Sequence, residues 1–255
     1  MNFFNQGIPL GRWFGIAVVI HWTFLIYAFM EISDAKGEMA FSALEMGLLF
    51  AVVLLHEFGH ALSCKAVGGE ADHIVLWPLG GIAFVQPPNN PWAWLFSTVC
   101  GPLVNAVLWP VFYLICRNMG IIDFSTLRLY MMLHSGSSMY LGMSCFLLWQ
   151  INRILLLFNL IPAYPMDGGR ILQELLWLAI GFRRALMIAG MVGTVAGISF
   201  IVLGAGLVSI HIPPPIDLRL GGEMDMVLLI IGVLCAMQSF GIYQRSRMIE
   251  SWRKR

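Results

Sequence analysis

The chain has 255 residues, 59% of them hydrophobic and only 11% charged, with a formal net charge of +1 and a mean hydropathy of +0.80. Such values exclude an ordinary water-soluble domain and make the bilayer the expected solvent. The few charges are unevenly placed, with Arg245, Arg247, Arg253, Lys254 and Arg255 near the C-terminus and Glu31, Asp34, Glu38 and Glu45 around the first loop; this asymmetry bears on topology, not on nucleic-acid binding.

Apolar runs recur at Phe14–Met30, Met46–Leu55, Leu95–Cys116, Leu141–Ile161, Leu186–Ile210 and Met226–Ile242. Most approach the roughly 20 residues that cross a hydrocarbon core of about 30 Å. About six transmembrane helices are expected. The first run lacks a following small-residue cleavage site and is read as a retained helix rather than a signal peptide. The second continues into a helix over Leu44–Ala66. Between it and the third run, Gly68-Gly69 and Pro87-Pro88 bracket Ile74–Val85, a stretch rich in β-branched and aromatic residues that predicts a short β-hairpin. The expected fold class is an all-α polytopic membrane protein carrying that hairpin, with residues 1–255 forming a single membrane-embedded domain whose motif-bearing core is about 41–182. The five cysteines form no C-x-x-C pair and lie in or beside apolar runs, so no disulfide framework is expected.

The second run ends in His56-Glu57-Phe58-Gly59-His60. Two histidines four residues apart share one face of a helix, the arrangement a zinc ion needs from two ligands. Glu57 is offset by about a third of a turn, where it can reach a metal-bound water without coordinating, and is the expected general base. The motif alone turns up by chance in about one per cent of chains this long, and a wetted interfacial helix end is the bland reading. Three ionisable groups within five positions of a membrane helix are nevertheless expensive to insert unless they face a polar interior or bind an ion.

Gly101-Pro-Leu-Val-Asn105 opens the third long run. An asparagine in a span usually hydrogen-bonds another helix; near a metal it can instead donate to an oxyanion or hold the substrate backbone, and Asn105 is the candidate for that second role. Further on, Asn159-Leu-Ile-Pro-Ala-Tyr-Pro-Met-Asp-Gly-Gly-Arg170 places two prolines and two glycines in an apolar stretch. A helix must break there, and at membrane depth a break is tolerated only where protein or a watered cavity covers the freed backbone groups. Asp167, inside the break, is the best candidate for a third metal ligand; two neutral imidazoles and one carboxylate would leave a zinc site at +1. Its innocent alternative is a turn residue beside proline and glycine.

In these three motifs the chain resembles the site-2 protease family of intramembrane zinc metalloproteases, and more narrowly its compact prokaryotic branch. The family's H-E-x-x-H corresponds to His56–His60, its G-P-x-x-N to Gly101–Asn105 and its N-x-x-P-x-x-P-x-D-G to Asn159–Gly168. Pro78-Leu79-Gly80-Gly81 and Val19-Ile20-His21-Trp22 are similar to flanking family segments. The resemblance implies a zinc-dependent endopeptidase cutting a transmembrane segment of another membrane protein, with zinc on His56, His60 and Asp167. It departs from the wider family in having no inserted PDZ-like domain and no appended nucleotide-sensing domain, so regulation by either is not expected.

Other features have simpler readings. Cys64 follows His60 by four residues on the same face, but a small residue packing between helices is the stronger reading. His21, His73, His134 and His211 lack partner spacing, and Arg153 is an unusual charge within its run, placed either to snorkel or to pair with an acidic group. With six alternating spans, Arg12, Lys65, Arg183, Arg184 and the basic tail fall on one side and Lys36, Arg117, Arg128 and Arg219 on the other. The positive-inside rule then makes both termini cytoplasmic, in the cell membrane of a prokaryote. The rival functions are a polytopic transporter with a His- and Asp-lined path, and an inactive metal-binding membrane chaperone, which the intact Glu57 argues against.

Overall fold

A computed structural model describes residues 7–34, 39–78, 80–212, 218–221 and 224–253. Lys36, Glu38, Leu79, the Pro213–Pro215 connection and the last two residues of the basic tail lie outside the described residues. The chain divides into two compact units, Met1–Leu157 and Phe158–Arg255.

The first unit opens with two strands, β1 (Gly7–Trp13) and β2 (Ile16–His21), and a helix, α1 (Trp22–Asp34). Phe14 and Gly15 both take positive φ, 54° and 78°, the backbone of a two-residue turn whose twist suits an antiparallel hairpin. The single helix expected over Phe14–Met30 is therefore replaced by a strand followed by a helix of 13 residues. The reason is local: Ile16-Ala-Val-Val-Ile20 is mostly β-branched, and its side chains stiffen an extended backbone better than a helix.

The motif helix α2 runs from Met39 to Ala66. It ends where Gly68, at φ 82°, lets its N–H bond Lys65 O and the Gly69 N–H bond Cys64 O, each at 3.0 Å, a Schellman cap that needs a left-handed residue. Strands β3 (Glu70–Trp77) and β4 (Gly80–Gln86) follow as the expected hairpin, but they do not stand alone. The sheet order is β1-β2-β3-β4, with β2 and β3 parallel through Ala17–His73 to Ile20–Leu76. One sheet face buries Ile16, Val18, Ile74 and Leu76 against Val53, Leu54, Phe58 and Ala61 of α2. The sheet is thereby held against the helix turns that carry the H-E-x-x-H motif.

Helix α3 (Pro91–Asn118) starts with Pro91 at its first position and the Asn90 side chain accepting from the Trp92 N–H, a strong combination for a helix start. Helix α4 (Phe124–Leu133) is a short capped segment, and α5 (Gly136–Asn159) completes the unit. Arg153 sits inside α5 without breaking it, its guanidinium 5.9 Å from the Trp149 ring centroid.

In the second unit, α5 gives way to the Leu160–Met166 break, and α6 (Asp167–Ile180), α7 (Phe182–Gly204), a two-stranded ribbon of β5 (Ser209–Ile212) and β6 (Leu218–Gly221), and α8 (Met226–Arg253) follow. Helices α7 and α8 pack through small residues. A Cβ on Gly190, Gly197 or Gly204 would lie 2.4–2.7 Å from the backbone of Tyr243, Ala236 or Leu229 respectively, closeness that drives packing where water supplies no hydrophobic force.

Among the described residues five helices are long and apolar enough to span a bilayer: α2, α3, α5, α7 and α8. The chain is a multi-pass membrane protein of mostly helical fold with one small mixed sheet. The first of the six expected crossings, over Phe14–Met30, is not among these five: strand β2 and the 13-residue α1 stand there instead.

Candidate metal centre

Helix periodicity places His56 and His60 one turn apart on α2, both buried, and their imidazole Nε2 atoms face each other at 3.1 Å. Each ring is held from behind. Nδ1 of His60 lies 2.9 Å from the Ser97 carbonyl of α3, which can only accept, so that nitrogen carries the proton. Nδ1 of His56 lies 2.6 Å from Oδ1 of Asn105. The Asn105 amide donates through Nδ2 to Oδ1 of Asn152 at 2.9 Å, and Asn152 donates through Nδ2 to the Leu148 carbonyl at 2.8 Å. Both asparagines are fully buried.

With a proton on each Nδ1, the two rings can turn Nε2 lone pairs toward one another. Two acceptors at that distance repel unless a cation lies between them. Nitrogens bound at about 2.0–2.1 Å to a tetrahedral ion stand about 3.3–3.4 Å apart, so the 3.1 Å pair fits a metal with little adjustment. Acceptors behind each ring also match the way ligating histidines are oriented in metalloproteins.

The helix crossing that brings this about depends on two glycines. A Cβ at Gly59 would lie 2.5 Å from the Cys100 carbonyl, and one at Gly101 would lie 2.1 Å from His60 Nε2. Only bare backbone fits at either place, so α2 and α3 approach closely and the imidazole of His60 occupies the room a side chain at 101 would fill. A third contact involves the sheet: a Cβ at Gly81, next to the start of β4, would lie 2.4 Å from Glu57 Cγ and 2.8 Å from its Oε1. The buried Glu57 is thus flanked by the β4 backbone.

Asp167 belongs to the second unit. Its buried carboxylate stands at the first residue of α6, where helix-terminal N–H groups favour negative charge. The preceding break doubles back on itself: Ala163 N–H bonds Ile161 O and Met166 N–H bonds Ala163 O, at 2.7 and 2.9 Å. Gly168 and Gly169 make this fold possible, since a Cβ on either would lie 2.3 or 2.7 Å from the backbone of Ile161 or Ala163. The Tyr164 N–H, in the break between α5 and α6, donates to Ser239 Oγ of α8 at 3.0 Å.

The residues without partner spacing have ordinary contacts. Cys64 is buried with its thiol 3.3 Å from the Glu70 carbonyl. His73 stacks on Phe84 and His134 on Tyr130. Sequence reasoning missed Asn152 and Gly81. The first carried the same signal as Asn105, an amide within an apolar run; the second stood only within a family-like segment, and its contact with Glu57, 24 positions away, had no local signal.

The profile of Peptidase family M50 matches residues 45–204, more than half of the chain. Zinc metalloprotease MJ0392 of Methanocaldococcus jannaschii is 29% identical over 249 residues, covering 96% of this chain and 62% of that one. Putative zinc metalloprotease sll0528 of Synechocystis is 32% identical over 219 residues, covering 80% of this chain and 53% of that one. The chain therefore spans between half and two thirds of the length of these relatives. In three dimensions it is similar to the site-2 protease from Methanocaldococcus jannaschii, with a TM-score of 0.59 at 24% identity, covering 93% of this chain and 95% of that one, a likeness of fold. By motif order, fold and sequence, the chain belongs to peptidase family M50, the site-2 proteases.

Proposed function

We propose that this chain is a zinc-dependent intramembrane endopeptidase that cleaves a transmembrane segment of another membrane protein. The observation that carries the reading is the pair of Nε2 atoms of His56 and His60 facing each other at 3.1 Å, buried in a membrane helix and each ring backed by an oxygen at its Nδ1. Asp167 supplies the third ligand, supported by its place after the broken segment and its burial. Zinc, when bound, supplies a Lewis acid that acidifies water and polarises the scissile carbonyl. Glu57 takes the proton of the attacking water and passes it to the departing amide nitrogen, a role suited to a carboxylate beside but outside the ligand set. Asn105 orients His56 in this reading, since both ends of its amide are engaged within the protein.

The substrate must be extended to be cut. Strand β4 is an edge of the sheet and its second residue, Gly81, lies against Glu57. An unwound segment pairing with β4 would recover backbone hydrogen bonds lost from its helix and be led past the carboxylate.

Glu57→Gln keeps the side-chain volume and removes the base. It is expected to leave zinc bound while cleavage of a co-expressed membrane substrate falls about 10²–10⁴-fold. His56→Ala, His60→Ala and Asp167→Ala are expected to lose zinc as well. A Glu57→Gln chain that cleaves at the normal rate would remove Glu57 as the base, and an unmodified, zinc-loaded chain that cleaves nothing would sink the protease reading and return the transporter; full zinc occupancy in Asp167→Ala would remove that residue from the ligand set.

A further inference from the structure

The direction of every hydrogen bond behind His56 is set by a group that has no choice. The Leu148 carbonyl of α5 can only accept, so the Asn152 atom facing it is the NH₂ group, at 2.8 Å. Asn152 then turns its oxygen to Asn105, at 2.9 Å, which must answer with its own NH₂ group. Asn105 in turn presents oxygen to His56, at 2.6 Å, and the ring answers with Nδ1–H. Two fully buried amides on two different helices thus transmit the polarity of one backbone carbonyl to the imidazole. Without Asn152, Asn105 is free to rotate its amide by half a turn and donate to Nδ1, which puts the ring proton on Nε2 and removes the lone pair that would hold a metal.

We propose that Asn152 is a positioning residue for His56: through Asn105 it holds the imidazole in the tautomer whose Nε2 can bind the metal. This rests on the reading of His56 as a zinc ligand. His60 needs no such relay, because its Nδ1 meets a carbonyl directly.

Asn152→Leu keeps the shape and removes the acceptor, and Asn152→Asp restores an acceptor toward the Asn105 amide at the same side-chain size. Zinc affinity of the purified full chain, measured by competition with a chelator, is expected to fall about 10–100-fold in Asn152→Leu, the usual effect of removing an outer-shell partner, and to recover most of that loss in Asn152→Asp. The ¹⁵N shifts of His56 in the chelator-stripped protein are expected to report Nδ1–H in the unmodified chain and a gain of Nε2–H in Asn152→Leu. If Asn152→Leu is merely less heat-stable, with zinc affinity and tautomer unchanged, the relay is overturned. Should that variant not fold, Nε2–H on His56 of the unmodified stripped chain overturns it equally. Loss of zinc in His56→Ala alongside native affinity in Asn152→Leu would reject the relay and keep the site; native zinc affinity in His56→Ala would reject the site itself.

Discussion

At position 101 a single methyl group decides whether His60 can stay where it is. Its carbon would lie 2.1 Å from Nε2 and 2.2 Å from Cε1 of the ring, so Gly101→Ala must push the imidazole off its line toward His56. At position 81 the same methyl group would lie against Glu57 and leave both histidines untouched. The two substitutions are therefore expected to separate. Gly101→Ala should weaken zinc binding by about tenfold or more, as disturbance of a ligand's support does; Gly81→Ala should keep the metal and slow cleavage through the displaced carboxylate. Chelator competition and turnover on both variants check this, and equal loss of zinc from both would contradict the geometry. The histidines and Glu57 were legible in the sequence because helix periodicity alone puts residues 56 and 60 on one face. The support behind them was not, since Asn105 to His56 spans 49 positions and Asn152 to Asn105 another 47, contacts that only the helix crossings create.

Among the elements, α3, α5, α7 and α8 were legible as long apolar runs and α2 as an apolar run ending in a motif, because a membrane helix must satisfy its backbone internally and announces itself by length. The β1–β2 hairpin was not, since summed hydropathy over Phe14–Met30 is blind to whether the backbone is extended or coiled. Helix α4 escaped for the opposite reason: ten residues are too few for an apolar run to stand out, and its signal is the cap. Asp123 accepts from the Thr126 N–H at 2.7 Å while Thr126 Oγ accepts from the Asp123 N–H at 2.9 Å, a reciprocal box that starts the helix. The bonds from Thr126 hold the Asp123 carboxyl below its ordinary pKa. A carboxyl lowered in the folded state stabilises the fold fully above its unfolded pKa, and that contribution is lost as the pH falls through the folded value. Amide exchange at Thr126 is therefore expected to quicken relative to the middle of α4 as the pH drops below the normal aspartate range, and Asp123→Ala should show the faster exchange at every pH. Exchange that stays flat through that range would show that the ionised carboxylate does not hold the cap.

For the molecule as a whole, the side of the membrane from which the site is reached follows from how the chain alternates. Within the first unit the Lys65 ammonium donates to the Phe14 carbonyl at 2.9 Å, so the β1–β2 turn lies at the C-terminal end of α2. The chain then runs through β2 and α1 and starts α2 at Met39, and the alternation read from the sequence takes the β2–α1 segment as its first crossing. On that alternation α3 is expected to return, α5 to cross again, and α7 and α8 to complete the series. By that count Arg12, Lys65, Arg183, Arg184, Arg245 and Arg247 are expected on one side, with Arg117, Arg128 and Arg219 on the other. The excess of Lys and Arg marks the cytoplasmic face, so the C-terminal end of α2, the sheet and both termini are expected to be cytoplasmic, with α4 outside. A cysteine introduced at Ser125, exposed in the first turn of α4, should react with a membrane-impermeant maleimide on intact cells. One introduced at Gly181, between α6 and α7, should react only after permeabilisation. The five native cysteines are free, so the comparison is made against the unmodified chain. Labelling at position 181 but not at 125 in intact cells would invert the molecule, and with it the face from which the site-bearing end of α2 is approached.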